Sequence, residues 1–226
     1  MRVFIVEGVD NSGKSWIIDK LCHGEYLDKF DLRYASTHFP SDEMCESKEF
    51  KKLITNINSP NYDDIKINFI KKLIEEEVSF LRAEKDKGTS VVFIDRFLIT
   101  SLVYQGSGLA KNCTMERIII GMYEEMFRGL DISSVDFYNF IFMNKIQDDL
   151  LEINPTKKEF DNKADEIRIK LSSLLLNINS GAICSDYFDN IIVFDEAEFK
   201  NGTARPSDAE LLSITDTRIG IIVGLI

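Results

Sequence analysis

Lys14 and Ser15 stand directly behind Gly13, five positions after Gly8, in the pattern G-x-x-x-x-G-K-[ST]. Those residue types at that spacing build a loop that cradles phosphate. The glycines let the backbone turn so that the N–H groups of Asn11, Ser12 and Gly13 point into one concavity. A helix opening at Lys14 would place unpaired N–H donors and its positive dipole end under the same phosphates. Lys14 would then bring charge to the β and γ phosphates, and the Ser15 hydroxyl would be a ligand for Mg²⁺. A second charged pair, Asp95-Arg96, follows the run Val91-Val92-Phe93-Ile94. The pattern predicts a nucleoside triphosphate ligand together with Mg²⁺.

Strands and helices must hold these residues. RVFIV (Arg2 to Val6) reads as a strand leading into the glycine turn, and Trp16, Ile17, Ile18 and Leu21 have helical spacing behind it. Leu32 to Ser36 reads as a second strand, followed by the turn Thr37-His38-Phe39-Pro40. A helix is expected over Lys48 to Ile57. Another is expected from Ser59-Pro60, with Ser as cap and Pro as first helical residue, to Lys87-Gly88. Ile67, Ile70, Leu73, Ile74, Val78 and Leu81 form its apolar stripe, which Phe69 and Phe80 widen. The continuous apolar run 91–94 has the pattern of a strand buried on both faces of a parallel sheet. Its carboxyl end, where Asp95-Arg96 sit, is where open α/β sheets bind ligands.

Further helices are expected over Leu98 to Gln105, over Thr114 to Arg128, and on the periodicity of Ile167, Leu171, Leu174 and Leu175. Strands are expected over Phe137 to Met143 and Ile191 to Phe194. Asn154-Pro155-Thr156-Lys157-Lys158 reads as a loop within a lid-like segment at about 153–161. A last helical face runs from Ser207 to Ile226. Strands alternating with helices predict one three-layer α/β domain over residues 1–226, with a five-stranded parallel sheet.

The 226 residues, 44% of them hydrophobic, suffice for one buried core. A net charge of −11 disfavours a general nucleic-acid binder, which needs a basic face, and leaves room for a small basic pocket that holds phosphates. No apolar run is long enough to cross a membrane. Cys22, Cys45, Cys113 and Cys184 lie far apart and make no zinc spacing with His23 or His38. Four reduced thiols, and a strand pattern that begins too early for a secretory leader, lead to the expectation of a cytoplasmic protein.

From Phe4 to Ser15 the sequence FIVEGVDNSGKS resembles the opening of the thymidylate kinase family of phosphate-loop nucleoside monophosphate kinases. DRFLITSLVYQG (Asp95 to Gly106) resembles that family's DRYxxSxxAYQG segment, and THFP (Thr37 to Pro40) resembles its FP turn. The similarity covers residues 1 to about 110. It implies an enzyme that transfers phosphate from ATP to a deoxynucleoside monophosphate, dTMP first of all, and that forms a homodimer. On this resemblance Arg96 holds the acceptor's phosphate, Asp95 helps position Mg²⁺, and Asp10 approaches the 3′-hydroxyl and the metal region. Phe69 stacks on the base beside the FP turn with Phe39. Thr100, Ser101 and Gln105 lie near base-reading positions, and Tyr104 fills the place of a ribose 2′-hydroxyl.

The chain departs from the family where arginines are usual. Ile70-Lys71-Lys72-Leu73 replaces the arginine one turn after the stacking phenylalanine, leaving only a lysine to serve. Pro40 is followed by Ser41-Asp42, Asp10 by Asn11, and the lid segment offers only Lys157 and Lys158. Departures of this kind suit a phage or viral member. Two other readings stay open: a kinase for another dNMP or a nucleoside, and a nucleotide-binding protein that has lost turnover.

Overall fold

A strand that is apolar at every position must be covered on both faces, and two such runs dominate the core. In β1 (Arg2–Gly8), Val3 and Ile5 point to one side of the sheet and Phe4 and Val6 to the other; all four are buried. β3 (Val91–Asp95) is buried throughout. The computed structural model describes residues 1–8, 14–22, 32–106, 114–128, 134–142, 155–183, 188 and 190–194. Among them five strands form one parallel sheet in the order β2-β3-β1-β4-β5, with β2 at Tyr34–His38, β4 at Asp136–Phe142 and β5 at Ile191–Phe194. Helices flank both faces, giving the expected three-layer α/β architecture, compatible with a phosphate-loop NTPase fold.

One face carries α1 (Lys14–Cys22), whose Ile17, Ile18 and Leu21 pack on Phe4, Val6, Phe93, Phe140 and Phe142. The Phe4 ring stacks with those of Phe93, Tyr138 and Phe140 at 5.5, 5.2 and 5.9 Å. The opposite face carries α4 (Tyr62–Asp86), α5 (Leu98–Gln105), α6 (Thr114–Phe127) and α7 (Pro155–Asn179). Phe97 centres that layer, against Tyr123, Phe127 and Phe137 at 5.4 to 6.0 Å.

Several boundaries differ from the sequence expectation. The second strand begins at Tyr34, because pairing with β3 sets His38 opposite Asp95. α2 (Asp42–Glu46), unanticipated, starts at Ser41, whose hydroxyl accepts the Met44 N–H at 3.1 Å. It leads through Ser47, which caps both, into α3 (Lys48–Thr55). Ser59-Pro60 does not open the long helix. The Ser59 carbonyl accepts the Tyr62 N–H in a turn, and α4 starts behind Asn61. α4 stops as expected, with Gly88 at φ 74° past its end. Residues 155–158, expected in a loop, form the first turn of α7, with Pro155 at the position where its missing N–H costs nothing. Met143, residues 153–154 and the expected helix 207–226 lie outside the described residues, as do Cys113 and Cys184.

Among the described residues no helix is long and apolar enough to cross a membrane.

Candidate functional site

The carboxyl ends of β1 and β3 lie side by side, Val6 opposite Asp95, and the candidate site is built outward from them. β1 ends at Gly8, where φ is 139° and a Cβ would stand 2.3 Å from the Phe142 carbonyl oxygen; only glycine fits against β4 there. Asp10, Asn11, Ser12 and Gly13 lie outside the described residues. Lys14 and Ser15 open α1, as the motif requires. Lys14 is 5% exposed rather than solvated. Burial pulls its ammonium below the ordinary lysine value, while the charges of Asp95 and Glu7 work in the opposite direction.

Asp95 is buried, and its Oδ2 accepts the Ser15 hydroxyl at 2.5 Å. Its Oδ1 is buried with no hydrogen-bond partner. An orphaned carboxylate oxygen beside a serine hydroxyl suits a hard divalent cation, and Mg²⁺ takes few protein oxygens where phosphates supply others. Ser15 and Asp95 therefore fit the metal role expected of them.

Arg96 adopts φ 73°, a left-handed backbone that costs a non-glycine residue of order 1–3 kcal/mol. Two contacts with β1 hold it. The Arg96 N–H donates to the Val6 carbonyl at 3.1 Å, and the next N–H, of Phe97, donates to Glu7 Oε1 at 2.9 Å. Glu7 also accepts the Thr100 N–H at 3.3 Å and the Thr100 hydroxyl. A fully buried carboxylate from β1 thus caps α5 and locks the strand-to-helix turn that presents Arg96. Burial pushes the Glu7 carboxyl up, against the opposing pull of those hydrogen bonds and of the Arg96 charge. The Arg96 guanidinium stands over the Tyr104 ring, 5.6 Å from its centroid, and Nη1 donates to the phenol oxygen at 3.3 Å.

Ser15, Asp95 and Arg96 line a cavity of about 1130 Å³, large enough for a nucleotide. Phe39, Phe69, Thr100, Ser101, Tyr104 and Gln105 line it too, so the base- and sugar-side residues expected from the sequence converge on one space, Asp10 excepted, which lies outside the described residues. Their engagements differ. The Thr100 hydroxyl is committed to Glu7, and Ser101 Oγ lies 3.5 Å from the Tyr123 hydroxyl. Gln105 Oε1 is buried without a partner. Phe69 is 2% exposed and leans on Phe50 at 5.7 Å, which makes it a core ring with one aspect on the cavity.

Neither Lys71 nor Lys72 lines that space, contrary to the expectation that a lysine serves there. Both are exposed, and Lys72 pairs with Glu49 at 2.8 Å; the helix turns Leu73 inward instead. The side chains of Lys157 and Lys158 lie outside the described residues. A cation that does reach the cavity is Lys170 on α7, paired with Glu166 at 2.8 Å. Nothing in its helical periodicity singles it out. Glu7 and Glu77 were also not singled out, yet each leaves a trace in the sequence: one acid closes an apolar strand, the other interrupts the apolar stripe of α4. Neither a known family model nor a curated protein matches the chain.

Proposed function

We propose that the protein transfers the γ-phosphoryl group of ATP to a deoxynucleoside monophosphate, with dTMP as acceptor and dTDP and ADP as products. An oxygen of the acceptor phosphate forms the new bond to phosphorus, and the bond to the β–γ bridging oxygen breaks. The observation that carries this reading is the placement of Asp95 and Arg96. A cation-ready carboxylate hydrogen-bonded to the motif serine precedes a strained arginine on the same cavity wall. Backbone strain in such a turn is retained where the surroundings over-determine it, a common property of functional sites.

Each residue then has a task. Lys14 neutralises charge developing on the transferred group, and its burial strengthens that interaction by excluding water. Mg²⁺, when bound by Ser15 and Asp95, would neutralise charge between the phosphates. Arg96 holds the acceptor phosphate in a two-pronged contact, and the Tyr104 ring keeps the guanidinium oriented. No covalent intermediate is required, because alignment and charge neutralisation account for phosphoryl transfer.

The test is ADP release, coupled to a reporter, with each dNMP in turn and dUMP included. Turnover with dTMP is expected, reduced about 10²-fold or more per folded molecule in Lys14→Ala. ATP binding without ADP release for any acceptor would favour a nucleotide-binding protein that has lost catalysis.

A further inference from the structure

Lys170 has no task in the phosphoryl transfer described above, yet it stands on the wall of the cavity. Ile167 and Leu171, both buried, seat α7 in the same core as α4 and α5. That packing brings the neighbouring stripe of α7, Glu166 and Lys170, to the cavity beside Ile167. The two side chains pair at 2.8 Å, one helical turn apart, and are unequally covered. Lys170 is 23% exposed, whereas Glu166 is 62% exposed. An i,i+4 pair with its acid largely in water contributes little by itself. A ligand that carries more negative charge than one carboxylate can therefore take the lysine over.

A nucleoside monophosphate carries a charge of about −1.5 to −2 at neutral pH. Arg96 supplies one positive charge, and the carboxylate of Asp95 stands next to it in sequence and on the same wall. Among the described residues that line the cavity, Lys170 is the one other lysine or arginine. His38 lines it as well, but its Nε2 faces Asp42 at 3.5 Å. The side of the sheet assigns the lysine further. Lys14 and Ser15 open α1 on one face, where the triphosphate belongs. Lys170 lies in the opposite layer and its helix packs on α5, which places Tyr104 under the Arg96 guanidinium. With the acceptor taken as a nucleoside monophosphate under the proposed function, we infer that Lys170 is a second anchor for the acceptor's phosphate. When the nucleotide binds, the Lys170 ammonium leaves Glu166 for a phosphate oxygen, and Arg96 holds the same group from the β3–α5 turn. The flexible four-carbon stem lets the ammonium make that exchange. Glu166 keeps the lysine in place in the empty cavity and competes with the ligand for it.

The experiment is calorimetric titration of the full chain with dTMP and with ATP, and with thymidine read by its displacement of dTMP. Wild type is compared with Lys170→Gln, Lys170→Arg, Glu166→Gln and the double variant Lys170→Gln/Glu166→Gln. Lys170→Gln should weaken dTMP about 10-fold, the loss of one charge-assisted contact, and leave thymidine and ATP as they were. Lys170→Arg keeps the charge and should bind dTMP within about threefold of wild type. Glu166→Gln removes the competitor and should tighten dTMP by about two- to threefold. That gain should vanish in the double variant, because it acts through Lys170. Melting temperatures should stay close to wild type throughout. An equal loss for dTMP and thymidine would make Lys170 a packing residue and overturn the inference. A loss confined to ATP would hand the lysine to the donor and overturn it too, as would unchanged dTMP affinity in Lys170→Gln.

ADP release, read in parallel, separates this inference from the kinase reading. A dTMP-specific loss in Lys170→Gln without turnover in wild type sinks the kinase and leaves the anchor standing. Turnover by wild type with the same dTMP KM in Lys170→Gln sinks the anchor alone. Failure of wild type to bind dTMP sinks both.

Discussion

Asp95 Oδ1 and both oxygens of Glu77 are buried without partners, and the two residues call for different tests. Asp95→Asn keeps an acceptor for the Ser15 hydroxyl while removing the charge a cation needs. Turnover should fall about 10²- to 10³-fold, the range for losing one electrostatic contact to the transition state, with the Mg²⁺ requirement shifted to higher concentration. A thermal melt close to wild type alongside that loss would assign the carboxylate to ligand rather than to fold. Glu77 leaves its mark on the pH dependence of stability. Its folded-state pKa lies above its unfolded value. Between the two, the native state keeps a proton that the unfolded chain has released, so stability falls as pH rises through that window. Glu77→Gln removes the effect. Its stability should therefore gain on wild type as pH rises above the ordinary glutamate range, by up to about 1.4 kcal/mol per pH unit, read as a widening gap in melting temperature. Parallel melting curves for the two proteins across that range would assign the proton elsewhere.

At the scale of elements, the join between β1 and α5 decides whether Arg96 can work. Glu7 accepts the Phe97 and Thr100 N–H groups from a position one strand away, so a strand interior supplies the cap that α5 does not find in its own sequence. Glu7→Gln keeps the length but turns an amide against those donors, at an expected cost of about 1–3 kcal/mol. Its acceptor KM should rise more than its ATP KM, because the backbone of Arg96 is fixed by the same contacts. Separate titrations and a melt check both halves. Arg96 itself combines strain with charge, and two substitutions divide them. Arg96→Gly and Arg96→Ala should both lose acceptor use by about 30- to 1000-fold in kcat/KM. The glycine variant should be more stable than the alanine by roughly 1 kcal/mol, because φ 73° is free of penalty only for glycine. Equal melting points would remove the strain argument.

For the whole molecule, the outward side of α6 bears on assembly. Ile119, Tyr123 and Phe127 are buried in the core, whereas Ile118 is exposed and Met115, Met122 and Met126 are half-buried along one helical stripe. The homodimer implied by the resemblance would use that stripe. The net charge of −11 adds mutual repulsion that salt should screen. Light scattering at two protein concentrations is expected to give twice the monomer mass, and Ile118→Lys to return it to the monomer. A monomer at both concentrations, with or without added salt, would rule the surface out.

The local content of this chain was legible because it depends on neighbours in sequence. The apolar run at 91–94 could only be a covered strand, and Leu98 to Gln105 could only bury its face as a helix, as found. Gly8, Gly13, Lys14 and Ser15 carry the spacing of a phosphate loop, whose residues 9–13 lie outside the described residues, and Asp95-Arg96 announce a strand end, as found. What needed the tertiary structure was everything set by partners distant in sequence. The start of β2 follows from its register against β3, and the fate of Ser59-Pro60 from a turn that uses the Ser59 carbonyl. The burial of Lys14 is set only when α1 is docked on the sheet, within reach of the charges of Asp95 and Glu7. The base-side wall could not be read at all, because helical spacing equates Lys72 with Leu73 until packing turns one outward and the other inward. Glu77 is the clearest case. In sequence it is one glutamate among Glu75, Glu76 and Glu77, a solvated run by composition. Only the approach of β1, α5 and α6 withdraws water from the last of the three, and the loss of water gives a carboxyl group its chemistry.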